Sequence, residues 1–160
     1  MADTVSQHEL DAPPWLRVES TLMDTARTIR AAYDRSLTPL ELNLTSASML
    51  AFVQENGPIT QTALAERLGV GRAAAGTHVD RLEERGLLQR EADHHDRRVW
   101  LVSVTADGEA LAEEVAKVDA GLRQQLRKGI DRSDRQQLAR LLVRLQANLA
   151  SATGEETPER

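Results

Sequence analysis

The chain contains no cysteine among its 160 residues. That absence removes disulfides, a cysteine-ligated zinc and any thiol-based switch, so a redox sensor working through a sulfenic acid is excluded. Aromatic residues are scarce at 2%, so a core must be assembled from Leu, Val and Ala. With 41% apolar and 28% charged residues, such a chain suits packed amphipathic helices better than a sandwich or barrel. No apolar run approaches the roughly 20 residues that span a bilayer, and the N-terminus lacks a charged-then-apolar leader pattern. A cytoplasmic chain with no membrane partner is expected, long enough for one domain with its own core.

An excess of basic groups is also missing. The net charge is −5, which looks wrong for a chain that meets phosphates. Its distribution matters more than its sum. Residues 1–60 carry 8 acidic and 4 basic groups, residues 61–105 carry 7 of each, and residues 106–160 carry 10 and 9. The acidic excess therefore lies mostly outside the central segment, where arginines on one surface could still create a local basic field.

What is present is a run of helix signals interrupted once by strands. Residues 1–12 are polar and unpatterned and read as a flexible arm. Pro13 and Pro14 suit a helix start, because the first helical residues need no amide donor. Val18, Leu22, Ala26, Ile29 and Tyr33 then recur at helical spacing to about Arg35. Beyond Pro39, Thr45 reads as the cap of a short helix carrying Met49, Leu50, Phe52 and Val53, ended by Asn56-Gly57-Pro58. Thr60 is the expected N-cap of a third helix that buries Leu64, Ala65 and Leu68, with Gly69 supplying a left-handed turn. A fourth helix should run from about Arg72 to Arg85 and stop at Gly86. Leu87-Leu88 and Val99 to Val104 read as strands, with Ala92 to Arg97 as the loop between them. Thr105 caps a long helix with Leu111, Val115, Val118, Leu122 and Leu126 on one stripe. Asp131 caps a last helix edged by Leu138, Leu141, Leu142, Leu145 and Leu149, and residues 151–160 read as a disordered tail.

Helix, sharp turn, helix and hairpin form a winged helix-turn-helix, a device for laying one helix in a major groove of double-stranded DNA and a loop in the neighbouring minor groove. On the fourth helix Ala75, Val79 and Leu82 share the inward face. Arg72, Ala73, Gly76, Thr77 and Arg81 fall largely elsewhere, where base edges and phosphates are within reach. Arg is the usual bidentate reader of guanine, Thr serves several bases, and Ala can touch a thymine methyl, while Gly76 and Ala73 leave room for a deep seat. The tip Asp93-His94-His95-Asp96-Arg97-Arg98 is too polar for a core, and it places Arg97 and Arg98 where a narrow minor groove concentrates negative potential. Asp96 is expected to hold a neighbouring guanidinium. Adjacent histidines on a loop lack a spacing that fixes coordination geometry, so no metal is expected.

The segments Leu64-Ala-Glu-Arg-Leu-Gly-Val70, Val79-Asp-Arg-Leu-Glu-Glu-Arg-Gly-Leu-Leu88 and Asp96-Arg-Arg-Val-Trp-Leu-Val-Ser-Val-Thr105 with Gly108 resemble the MarR family of winged-helix transcriptional regulators. The resemblance covers roughly residues 15–150. It implies a fold that is mainly α with a small β-hairpin wing: one domain over 13–150, a DNA-binding lobe at about 45–105, and dimerisation helices at about 13–36 and 105–150. It further implies a homodimer held by Val18, Leu22, Leu138, Leu142, Leu145 and Leu149, a repressor of an inverted-repeat operator, and release by a small aromatic or anionic effector. Three positions depart from the family pattern. Gly71 stands where Ser or Thr usually caps the recognition helix, Thr77 where a basic or polar reader is common, and His78 where an apolar inward residue is usual. A partly buried histidine with a satisfied ring is the commoner outcome, whereas the sharper expectation makes His78 part of an effector or pH-sensing cavity, with Tyr33 and Phe52 as its walls.

Two other functions compete. An enzyme would need a constellation that the chain lacks, whether a His-Glu-x-x-His, a phosphate-cradling Gly loop, a nucleophile elbow or a Cys-His pair, so neither catalytic residues nor cofactors are expected. A winged-helix module that binds protein without specific DNA binding is the second rival. Arg72, Arg81, Arg97 and Arg98 on one docking surface favour nucleic acid.

Overall fold

A computed structural model describes residue 13 and residues 17–153 of the chain. Helix α1 (Val18–Leu37) follows Arg17, whose side chain makes no capping bond. Of the helix start expected at Pro13 and Pro14, Pro13 is not helical and Pro14 lies outside the described residues, as do the arm 1–12 and residues 154–160. A short 3₁₀ turn (Thr38–Leu40) uses Pro39 in its first turn and ends at Glu41, a non-glycine residue held at φ 55°. The Arg85 guanidinium donates to the carbonyls of Glu41 (2.8 Å) and Leu40 (3.1 Å), which ties this turn to a distant part of the chain.

Helix α2 (Leu44–Asn56) starts one residue before the expected cap. Asn43, not Thr45, is the N-cap: its Oδ1 accepts from the Ser46 amide at 2.9 Å, while Asp34 Oδ1 takes the Leu44 amide at 2.7 Å. Two orphan donors are thereby satisfied, and Thr45 falls inside the first turn. Met49, Leu50 and Val53 are fully buried and meet Leu64, Val79, Leu82, Leu88 and Val102 in one core. Each such side chain contributes about 1.5–3 kcal/mol when removed from water. The core is aliphatic, as the shortage of aromatics requires, with Tyr33 and Phe52 packed at its edge.

The β structure is larger than a hairpin. Strand β1 (Ile59–Thr60) adds to β2 (Leu88–Ala92) and β3 (Trp100–Val104) in an antiparallel sheet ordered β1-β3-β2. Ile59 faces Val102 across one ladder, and Leu88 and Ala92 face Val104 and Trp100 across the other. Ala92 therefore belongs to the strand and Val99 to the loop. The two residues of β1 are too short to carry a periodic signal, and they directly precede the helix that Thr60 caps.

Helix α3 spans Gln61–Leu68 and α4 Arg72–Glu84. Helix α5 (Ala106–Leu126) begins where Thr105 Oγ1 accepts from the Gly108 amide (3.1 Å) and donates to the Gly86 carbonyl (2.6 Å). Gly108 is required by close approach. A Cβ there would sit 2.0 Å from the Leu87 carbonyl oxygen, a separation no non-bonded pair tolerates. Of the expected stripe Val115 and Leu122 are buried, joined by Ala112, while Leu111 and Val118 are half-buried and Leu126, in the last turn, is exposed.

The chain divides into two compact units within α5, one up to Leu122 and one from Arg123 onward. The second unit holds the last turn of α5 and helix α6 (Arg132–Thr153), whose start is fixed by a reciprocal pair. Asp131 accepts from the Asp134 amide at 2.9 Å and Asp134 from the Asp131 amide at 3.2 Å. Among the described residues of α6 none is buried. Among the described residues no helix is long and apolar enough to cross a membrane.

Candidate nucleic-acid interface

Gly69 terminates α3 at φ 62°, a conformation costly for any residue with a Cβ, and the Val70 amide closes the turn on the Ala65 carbonyl at 2.9 Å. Only Val70 and Gly71 separate it from α4. Gly71 caps α4 without a side-chain bond, so the helix start lacks the stabilisation that a Ser or Thr would add there.

Ala75, Val79 and Leu82 are buried and fix which way α4 faces. At about 3.6 residues per turn, Ala73, Thr77 and Arg81 fall on the opposite side and are exposed. Ala74 and Glu84 are exposed too, two positions to which the sequence pattern gives no role. Glu84 puts a negative charge at the C-terminal end of the outward face, so its cationic character lies toward the middle and N-terminus. There Arg72 is paired with Glu66 at 3.2 Å, with both side chains more than 60% exposed. Such a pair contributes little and can be exchanged for a phosphate. Thr77 Oγ1 donates to the Ala73 carbonyl at 3.2 Å, leaving its lone pairs outward. Gly76 has another use than the expected one. It is half-buried, and its missing Cβ leaves room for Gln61 Nε2 of α3, which would lie 3.1 Å away.

The wing is a loop over residues 93–99 organised by two aspartates. Asp93 Oδ1 accepts from the amides of His95 (2.6 Å) and Asp96 (3.1 Å), and these bonds hold its carboxyl below the ordinary value, aided by the neighbouring histidines. The Asp93 amide bonds the Val99 carbonyl at 2.9 Å and closes the loop. Asp96 accepts from the backbone amide of Arg98 at 3.0 Å, so it orients the chain at Arg98 instead of gripping a guanidinium. Arg97 and Arg98 are exposed, and among the described residues neither has an ion-pair partner. The sequence marks Asp93 only as part of a polar tip, because an Asx turn is a backbone arrangement with no distinctive spacing.

His78 lies on the flank of α4 toward α2. Its Nδ1 is 2.9 Å from the hydroxyl of buried Ser46, and burial, followed by the nearby Arg81 charge, lowers its pKa from 6.5. Tyr33 donates its hydroxyl to Asp119 of α5 at 2.8 Å. Phe52 packs against the core from α2. The three thus sit on three different helices, each engaged with its own neighbours. Of the residues expected at a dimer contact, Val18, Leu22, Leu138, Leu145 and Leu149 are exposed and Leu142 is half-exposed. Among the described residues no cluster of His, Asp or Glu is arranged to hold a metal ion.

One organising residue is not legible in the sequence at all. Arg90 of β2 reaches Asp80 (2.6 Å) and Glu83 of α4 and Gln61 Oε1 of α3 (2.8 Å), and its own amide donates to Glu83 at 3.1 Å. Nothing in the local sequence announces a contact that joins three elements.

This arrangement has counterparts. The sequence profile of the MarR family matches residues 40–99. The transcriptional regulator PA3341 is 30% identical, with a TM-score of 0.75 over 83% of this chain and 98% of that one. A MarR mutant from E. coli, solved in complex with operator DNA, is 23% identical, with a TM-score of 0.74 over 80% and 92% of the two chains. BpsR from Bordetella bronchiseptica, whose DNA binding is regulated by 6-hydroxynicotinic acid, is 22% identical, with a TM-score of 0.77 over 84% and 96%. With its helix-turn-helix, three-stranded sheet and wing, the chain belongs to the MarR family of winged-helix transcriptional regulators.

Proposed function

We propose that the chain is a homodimeric repressor that grips an inverted-repeat operator through α4 and the wing of each copy. The observation that carries this reading is the set of cations left available on one lobe. Arg81 is exposed on the outward face of α4, and Arg72 is only loosely paired. Arg97 and Arg98 stand on an ordered loop, and no carboxylate among the described residues claims them. Phosphate contacts from these groups would supply affinity, and Arg81, Thr77 and Ala73 would read base edges. The E. coli relative complexed with operator DNA supports the same use of the lobe.

Dimerisation follows from the apolar residues that the single chain leaves in water. Helix α6 exposes Leu138, Leu141, Leu145 and Leu149, and α1 exposes Val18, Leu22 and Met23. Such rows at helical spacing are expected to be covered by a second copy, which would present two α4 helices to successive major grooves about 34 Å apart. The last part of the reading is control by a small aromatic anion, with His78, Tyr33 and Phe52 as candidate contacts. It is supported by the regulation of the Bordetella relative by a hydroxylated aromatic acid.

The test is footprinting on the DNA upstream of the chain's own gene, with and without aromatic acids, followed by titration of the protected duplex at several salt concentrations. Arg98→Ala should weaken binding and lower the log–log salt slope by about 0.9 for each phosphate that is no longer neutralised. Wild-type affinity and slope in that variant would remove the wing from the interface. A protein that protects no DNA would favour a protein-interaction module instead.

A further inference from the structure

Arg90 looks at first like one more cation on a DNA-binding lobe. Its surroundings argue otherwise. Only 26% of the side chain is exposed, and the guanidinium is enclosed by the carboxylates of Asp80 and Glu83 and the amide oxygen of Gln61. Two acids neutralise its charge, so it offers little to a phosphate. Its fork instead joins the strand that leads into the wing to both helices of the helix-turn-helix. Asp80 and Glu83 stand on α4 one turn apart, on the flank beside the outward face, and Gln61 opens α3. The Glu83 carboxylate also takes the Arg90 backbone amide, which pins α4 to β2 at the main chain as well (3.1 Å). Gly76 completes the cluster by leaving space for the Gln61 amide.

We propose that Arg90 is a positioning residue for sequence recognition, fixing the tilt and depth of α4 relative to the wing. The proposal rests on the DNA-binding reading above and adds a role to a residue that touches no DNA. A planar fork holds several acceptors at fixed angles, whereas an ammonium can satisfy the charge but not the geometry. A lysine at this position therefore keeps the electrostatics of the lobe and loosens only the relation of α4 to the wing.

The experiment compares wild type with Arg90→Lys on two duplexes, the footprinted site and a scrambled one of equal length, at several salt concentrations. Net charge is unchanged, so scrambled-duplex affinity and its salt slope should match wild type. Affinity for the footprinted site should fall about tenfold, which collapses the specificity ratio. A purely structural role would instead lower the melting temperature and weaken both duplexes together. If Arg90→Lys is unfolded at the assay temperature, Gln61→Met removes the uncharged acceptor of the fork without altering net charge and should produce the same selective loss. An unchanged ratio in a folded variant, or a salt slope reduced by about 0.9 on the scrambled duplex, would overturn the proposal. Wild type that binds neither duplex would overturn both this and the function on which it rests.

Discussion

The unit up to Leu122 and helix α6 use the same apolar vocabulary to opposite ends. In the first, leucines at helical and strand spacing turn inward: Leu50, Leu64, Leu82 and Leu88 are essentially inaccessible. In the second, leucines at the same spacing stay in water, with Leu138 at 51% and Leu149 at 63% exposure. Hydrophobic periodicity reports that a face will be covered and is silent on what covers it. The first unit closes on itself. The last helix is an unfinished surface, and in the proposed homodimer a second copy finishes it.

The contrast is tested most severely by making one change in both regions. Leu82→Ala should cost about 2–5 kcal/mol, read as a lower urea midpoint that does not depend on protein concentration. Leu145→Ala should leave the unfolding of the first unit alone and weaken subunit association, so its effect should grow as the protein is diluted. If dilution has no influence on Leu145→Ala, the contrast between the two regions is broken.

A smaller loss is expected at the base of the wing. Gly108→Ala forces a methyl against the Leu87 carbonyl, and with backbone on one side and the Val104 side chain on the other little can yield. The cost should lie toward the upper end of about 1–3 kcal/mol, measured by thermal melting. The same substitution at Gly121, where a Cβ meets nothing within 4 Å, should be neutral or slightly stabilising.

The smallest effect sharpens the contrast through pH. His78 has a depressed pKa in the folded state, chiefly through burial, so the neutral ring is the form that the fold prefers. Its contribution is fully present above the unfolded value of 6.5 and is lost as pH falls through the folded one. Stability of the lobe should therefore decline below about pH 6.5, and His78→Gln should flatten that part of the profile. Helix α6 contains no histidine, so subunit association should not share this dependence. A profile identical in wild type and variant would show that the ring does not contribute.

How much of this is legible in the sequence depends on whether a signal is local. Thr60, Gly69, Gly86 and Thr105 each mark a boundary with chemistry confined to a turn, and the structure places boundaries there. The inward face of α4 follows from spacing, and that of α5 does as far as Leu122 but not at exposed Leu126. Small residues are harder to read. Ala112 and Gly108 are buried without any hydrophobic emphasis, and Gly76 serves α3 although its position suggests the outward face. Non-local polar contacts are invisible. The Arg90 fork, the Arg85 bonds to the 3₁₀ turn and the Ser46–His78 pair join residues 7 to 45 positions apart. Asp96 does order the wing, as its place beside two arginines suggests, but the group it holds is an amide, which no side-chain pattern could reveal.

The most direct measurement is sedimentation equilibrium of the wild-type chain at micromolar concentration, alone and with the footprinted duplex. A two-chain species free in solution, and two chains per duplex when bound, are the predicted masses. A single chain throughout, with α6 still helical, would contradict the view that this helix is completed by its own copy.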